Sequence, residues 1–175
     1  MVDVSQKEAS RRSASAQGRI RIPKVAYDLI KTQREDTLGA SSKESDGERK
    51  ARSKGDVLTV AQLAGIMGSK RTSDLIPLCH TVPLSHVSVN LIVEKTSPVD
   101  EPDNSKECEY NILCRATAVC DGKTGVEMEA LTAVSVSLLT VWDMLKAVAG
   151  KEMVIGNIYV THKSGGISGD FSRAT

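Results

Sequence analysis

At 175 residues the chain is long enough for one domain with a full hydrophobic core. Its 40% hydrophobic and 26% charged residues are ordinary for a globular protein, and 23 Lys and Arg against 22 Asp and Glu leave no basic excess of the kind a nucleic-acid binder carries. Aromatics amount to 3%, so the core has to be built from Val, Leu, Ile, Ala and Met, and any recognition of phosphate must be local.

The opening Met1-Val2-Asp3-Val4-Ser5 lacks the basic head and apolar run of a secretory signal. Alternation from Ala16 to Ile22 predicts a half-buried strand. Pro23 suits a first helical turn, and Val25, Leu29 and Ile30 follow at helical spacing. Residues 36–53 are rich in Ser and charge without periodicity, which predicts a mobile loop. Asp56 is placed to cap a helix through Val57, Val60, Leu63, Ala64 and Met67.

Val87 to Val93 alternates as a strand, Pro98 to Ser105 reads as a polar turn, and a further strand runs from about Glu107 to Val119. After a glycine turn a helix spans about Val126 to Val148, and Met153 to Lys163 returns as a strand. Strands and helices in this order predict a single α+β domain over residues 1–175, an antiparallel sheet with helices on one face.

The long helix is apolar on nearly every side, through Met128, Leu131, Val134, Val136, Leu138, Leu139, Val141, Trp142 and Leu145. Glu127, Glu129, Asp143 and Lys146 make membrane insertion costly, so no membrane is expected. A helix of this kind outside a membrane has to be buried on two faces, and one sheet covers only one. The second face is expected to meet another copy of the chain, making a homo-oligomer.

Polar chemistry gathers in three segments: Lys70 to His80, Lys123 to Glu129, and Lys163 to Phe171. Asp143 and Lys146 share a helix face, as a surface ion pair or as an acid/base pair whose charges shift one another. Glu127 and Glu129 sit where carboxylates favour the helix dipole. Glu129 and Asp143 are 14 residues apart, roughly 21 Å of helix, too far for one small substrate to engage both closely. If both ends serve catalysis, the site is shared between subunits.

Cys79 and His80, as neighbours in an extended segment, point to opposite faces, which disfavours a thiol–imidazole dyad and leaves His80 to bind substrate, shuttle protons or serve structurally. Cys79, Cys108, Cys114 and Cys120 contain no Cys-x-x-Cys pair; they read as reduced packing thiols, with no metal site, and the last three would share one face of a strand. His86 and His162 read as structural. Lys54, Lys70 and Arg71 stand beside helix ends, and Lys163-Ser164-Gly165-Gly166 would let backbone N–H groups approach phosphate oxygens, although it is neither a Walker loop nor a dinucleotide fingerprint.

The stretches from Ala61 to His80, from Lys123 to Lys146 and from Met153 to Phe171, with the opening Met1 to Ser5, resemble the cyclic pyranopterin monophosphate synthase (MoaC) family of molybdenum cofactor biosynthesis over nearly the whole chain. The resemblance implies a ferredoxin-like α+β fold assembled as a homo-oligomer, a hexamer of dimers, with active sites at subunit boundaries. It implies a lyase that converts 3′,8-cyclo-7,8-dihydro-GTP, supplied by a radical SAM GTP cyclase, into cyclic pyranopterin monophosphate and pyrophosphate without a cofactor. By matching position, Asp143 is the acid/base residue with Lys54 and Lys146 as catalytic partners. Leu78, Cys79, His80, Met128 and Glu129 fall where that family contacts substrate, Glu127 and Lys163 match further pocket positions, and Lys70 matches a family cation.

Two departures accompany the resemblance: residues 36–53 are longer than the usual connection before Lys54, and Trp142 and Leu145 stand where Tyr and Cys are expected. The competing readings are a pterin- or nucleotide-binding subunit without turnover and, more distantly, a zinc-thiolate protein. The compartment expected is the cytoplasm or the mitochondrial matrix.

Overall fold

The computed structural model describes residues 1–35, 45–96, 108–166 and 169–173. The polar turn expected at 98–105 and the first half of the loop expected at 36–53 lie outside them. Ten elements follow in chain order: β1 (Ser10–Ile22), α1 (Lys24–Glu35), α2 (Asp46–Arg52), α3 (Val57–Ser69), α4 (Thr72–Leu75), β2 (Leu84–Thr96), β3 (Glu109–Gly122), α5 (Glu127–Ala149), β4 (Val154–Ser164) and β5 (Phe171–Ser172).

The strands form one antiparallel sheet in the order β2-β3-β1-β4-β5. With β1 and β3 central and helices crossing between strands, the first four strands have the ferredoxin-like arrangement. Period-two alternation puts Ala14, Ala16, Ile20 and Ile22 of β1 beside Ile112, Cys114, Ala116, Ala118 and Cys120 of β3, all buried towards the helices. The register pairs Ile20 with Ile112 on one side and with Ile155 on the other. The reverse face is polar: Ser15 Oγ meets Thr117 Oγ1 at 2.8 Å, and Gln17 Nε2 donates to the Tyr159 hydroxyl.

β1 begins six residues earlier than Ala16 because Ser13-Ala14-Ser15-Ala16 alternates in burial with very little apolar bulk. That smallness serves packing. A Cβ on Gly18 would stand 2.8 Å from both Val134 and Ile158, so α5 lies close over the sheet there. Among the described residues α5 is the helix long and apolar enough to cross a membrane, but its Leu138, Val141 and Leu145 are fully buried in the core.

α3 covers part of the second face of α5 within the same chain, an approach that depends on Gly65. A Cβ there would fall 2.1 Å from Ser137 Oγ and 2.8 Å from the Ala133 carbonyl oxygen. What stays uncovered on this helical layer is apolar: Leu63 is 58% exposed, Met67 50% and Leu139 59%. Asp56 caps α3 as expected, accepting from the Thr59 N–H at 2.7 Å.

The loop reading of 36–53 does not extend through its second half. Asp46–Arg52 is a helix opened by a capping box in which Ser45 and Glu48 satisfy each other's backbone N–H groups. Gly47 lets α2 dock on the last turns of α5, since a Cβ would sit 2.8 Å from the Ala147 carbonyl oxygen. Of the three cysteines expected on one strand face, Cys114 and Cys120 are buried there, while β3 starts one residue after Cys108.

Candidate active site

The two ends of α5 carry two groups of polar side chains. At the C-terminal end, α2 delivers Lys54. Ser53 caps α2, and Gly55, at φ +93°, turns the chain from Lys54 into α3. Lys54 Nζ donates to the Asp143 carbonyl oxygen at 2.7 Å and to Asp143 Oδ2 at 2.9 Å. Lys146 Nζ, one turn further along α5, donates to Asp143 Oδ1. The carboxylate thus holds one ammonium on each oxygen. Hydrogen bonds from Lys146 first and Lys54 second lower its pKa below the ordinary 3.8. Each of the three side chains stays at least one-third exposed, so the cluster faces outward.

At the N-terminal end, the turn after β3 and the first turn of α5 face the segment before β2 and the start of the chain. A cleft of about 400 Å³ is lined by Val2, Val4, Lys7, Leu78, Cys79, His80, Val82 and the α5 residues Glu127, Met128 and Glu129. It continues into a smaller cavity of about 140 Å³ that shares Lys7, Thr124, Gly125 and Glu127 and adds Arg12, Lys123 and Lys163. Among the described residues, four cations line the smaller cavity against one carboxylate, Glu127, whose Oε1 stands 3.4 Å from Lys163 Nζ.

The glycine turn after Lys163 belongs to this cavity through Ser164, Gly166 and Gly169. Gly165, at φ +85°, has no room for a Cβ, which would meet the Arg11 carbonyl oxygen at 1.8 Å. Ile167 and Ser168 of the same segment lie outside the described residues.

Glu129 is only 4% exposed, and burial raises its pKa above the ordinary 4.5. The neighbouring thiols move the same way: Cys79 and Cys120 are raised by burial and then by Glu129, and burial pushes Cys114 up to about 11. A thiolate nucleophile at Cys79 would need the opposite environment. His80 Nε2 lies 2.8 Å from the Val2 carbonyl oxygen.

Of the residues expected from sequence, Lys54, Asp143 and Lys146 come together at one end of α5, and Leu78, Cys79, His80, Glu127, Met128, Glu129 and Lys163 come together at the other. Lys70 caps α3, exposed, and lines neither cleft. Lys7, Arg12 and Lys123 enter the cleft without having been anticipated. Arg12 lies on β1 ahead of the Ala16–Ile22 alternation, and only extending that period back to it turns it inward with Ala14 and Ala16; it is 7% exposed. For Lys7 the signal was the opening segment, which folds back over the cleft.

Fold and site together place the chain among α+β acid/base enzymes that work on phosphate-bearing small molecules. Comparison with known proteins narrows that class. The chain is similar to the cyclic pyranopterin monophosphate synthases of Rhodopirellula baltica (45% identical over 177 aligned residues, covering 100% of this chain and 88% of that protein) and Bacillus thuringiensis subsp. konkukian (43% over 173 residues, 99% and 90%). It is also similar to that of Helicobacter pylori strain G27 (41% over 172 residues, 98% and 90%). Residues 1–166 match the MoaC family, and the chain belongs to it.

Proposed function

We propose that this chain catalyses the cyclic pyranopterin monophosphate synthase reaction of molybdenum cofactor biosynthesis, converting 3′,8-cyclo-7,8-dihydro-GTP into cyclic pyranopterin monophosphate and pyrophosphate. Family membership with full-length relatives of that activity supports the reading. The observation within the structure that carries it is the ion-paired cluster of Lys54, Asp143 and Lys146, assembled from residues 89 apart in sequence.

The reaction opens rings and recloses them as a pyranopterin, which needs proton transfers at several atoms but no net oxidation. Asp143 is held as a carboxylate and so can take a proton, although its two ammonium partners make it a weaker base than an ordinary aspartate; Lys54 and Lys146 are placed to donate protons and to steady developing negative charge. In the final step a substrate hydroxyl oxygen bonds to the α-phosphorus and gives its proton to a base of the site, as the bond from that phosphorus to the oxygen bridging the β-phosphate breaks. Pyrophosphate then leaves with the electron pair.

The four-cation cavity suits the triphosphate. Lys7, Arg12, Lys123 and Lys163 would hold its charge while the wider cleft between His80, Met128 and Glu129 takes the ring system. Lys163 serves this purpose in preference to Lys70, which stands apart from both cavities.

The catalytic cluster and the cleft are separated along α5 by roughly 21 Å, beyond the reach of a single bound nucleotide's reacting atoms. The site is therefore composite: the cluster of one protomer faces the cleft of another. The exposed Leu63, Met67 and Leu139 on the same helical layer support a homo-oligomer built on this face, as in a hexamer of dimers. A radical SAM GTP cyclase is the enzyme that would supply the substrate, in the cytosol or a mitochondrial matrix. The test is incubation of the full chain with 3′,8-cyclo-7,8-dihydro-GTP. Equal yields of pterin product and pyrophosphate are expected, and absence of both would refute the reading.

A further inference from the structure

The first seven residues contribute no core side chain, yet they lie across the wider cleft. Val2, Val4 and Lys7 line it. The segment is held by its own turns: Asp3 Oδ1 accepts from the Ser5 N–H at 2.8 Å, and the Val4 carbonyl oxygen accepts from the Lys7 N–H at 3.1 Å. Hydrogen bonds from the Ser5 backbone N–H first and the Ser5 side chain second lower the Asp3 carboxyl pKa, with a smaller contribution from nearby His80.

Two backbone oxygens of this strap are spent on cleft side chains. The Val2 carbonyl meets His80 Nε2 at 2.8 Å, and the Ser5 carbonyl meets Lys123 Nζ at 2.7 Å. Both contacts cross more than seventy residues of sequence, so they report how the strap is seated rather than any local turn.

A backbone carbonyl oxygen only accepts. His80 Nε2 therefore carries a hydrogen, and whenever the ring is neutral Nδ1 is its acceptor. The tautomer of a histidine is set by the hydrogen bond that one of its nitrogens makes. Here that bond comes from a carbonyl two residues from the chain start, whose direction depends on the turn that Asp3 locks. The other charged groups lining the cleft around His80 are Lys7 from the strap and Glu127 and Glu129 from α5. Among the described residues, the hydrogen bond to the imidazole is the one with the Val2 carbonyl oxygen.

We propose that residues 2–7 are a working wall of the substrate cleft, and that Asp3 is a positioning residue which, through its turn, seats the Val2 carbonyl on His80 and the Ser5 carbonyl on Lys123. Asp3 is not part of the cleft lining or of the Lys54–Asp143–Lys146 cluster, but its carboxylate lies near enough to His80 for their charges to interact, so it acts on binding and on His80 rather than on the Lys54–Asp143–Lys146 cluster. The proposal rests on the synthase reading for its kinetic consequence but not for its spectroscopic one.

The test pairs Asp3→Ala with Asp3→Asn. Asn keeps an Oδ1 acceptor for the Ser5 N–H, whereas Ala removes it. In the full-length assembled protein Asp3→Ala is expected to raise KM about five- to tenfold with kcat within about twofold of wild type, and Asp3→Asn to restore KM. In parallel, ¹⁵N histidine spectra at a pH where the ring is neutral report the tautomer. Wild type and Asp3→Asn should show His80 protonated on Nε2, and Asp3→Ala a mixture.

Unchanged KM in Asp3→Ala overturns the proposal, as does a His80 signature that Asp3→Ala leaves intact. A wild-type protein that makes no pterin would sink the synthase reading alone, because the ¹⁵N spectra would still decide whether the strap sets the tautomer.

Discussion

Two carboxyl groups on one helix are driven in opposite directions by their surroundings. Asp143, bridged by two ammonium groups, is held below its ordinary pKa and is ionised throughout the neutral range. Replacing it by Ala removes the proposed proton acceptor and leaves two uncompensated lysines, but both are solvated, so the fold survives. Turnover should fall by about three orders of magnitude with an unaltered circular-dichroism melt. Glu129 is raised by burial. An acid with a folded pKa above its unfolded value costs nothing below the unfolded value. Its cost appears as pH climbs through the interval and is complete above the folded pKa. Glu129→Gln should therefore melt higher than wild type near about pH 7, and the gap should close near about pH 4. A gap that widens towards acid would mean the carboxylate is stabilised in the fold, against the burial argument.

At the level of elements, the approach of α3 to α5 is governed by Gly65. An added Cβ meets the Ser137 hydroxyl and a backbone oxygen, neither of which can yield far inside a buried helix pair. Gly65→Ala should cost about 1–3 kcal/mol in denaturant unfolding, against the gain that Ala normally brings to a helix interior. A stabilised Gly65→Ala variant would contradict the observed packing. The same elements show what could be read from the chain unaided. α3, α5 and the centres of the strands announced themselves by period and by the Asp56 cap. The start of β1 was hidden because Ser and Ala alternate without hydrophobic contrast, although they alternate in burial. α2 was hidden by its charge and by Gly47, yet Ser45 and Glu48 stand at capping-box spacing. Lys54, Asp143 and Lys146 were legible as a group through resemblance and helix spacing. Lys7 was not, because only the folding back of the strap brings it to the cleft, and Lys123, though inside the polar segment before α5, carried no spacing that marked it apart from a solvated turn lysine.

For the molecule as a whole, the decisive question is whether copies of α5 cooperate. A protomer carries the Lys54–Asp143–Lys146 ion-paired cluster at one end of a 23-residue helix and a cation-lined cleft at the other. If the two ends of one protomer served one substrate, a chain damaged at either end would be dead whatever its neighbours carried. In a composite site across a two-fold axis, a variant lacking Asp143 and a variant lacking Glu129 complement each other. A mixed pair then forms one site with both defects and one with neither. Random mixing of Asp143→Ala with Glu129→Ala, through unfolding and refolding together, should restore about a quarter of wild-type turnover from two nearly inactive parents. Mixing without subunit exchange should restore none. A Leu139→Asp change on both chains places charge on the exposed apolar surface between the helix ends and should abolish the recovery by preventing the pair from forming. Recovery that survives Leu139→Asp would place the shared face elsewhere on the protomer, and no recovery in any mixture would return both ends of the helix to separate tasks.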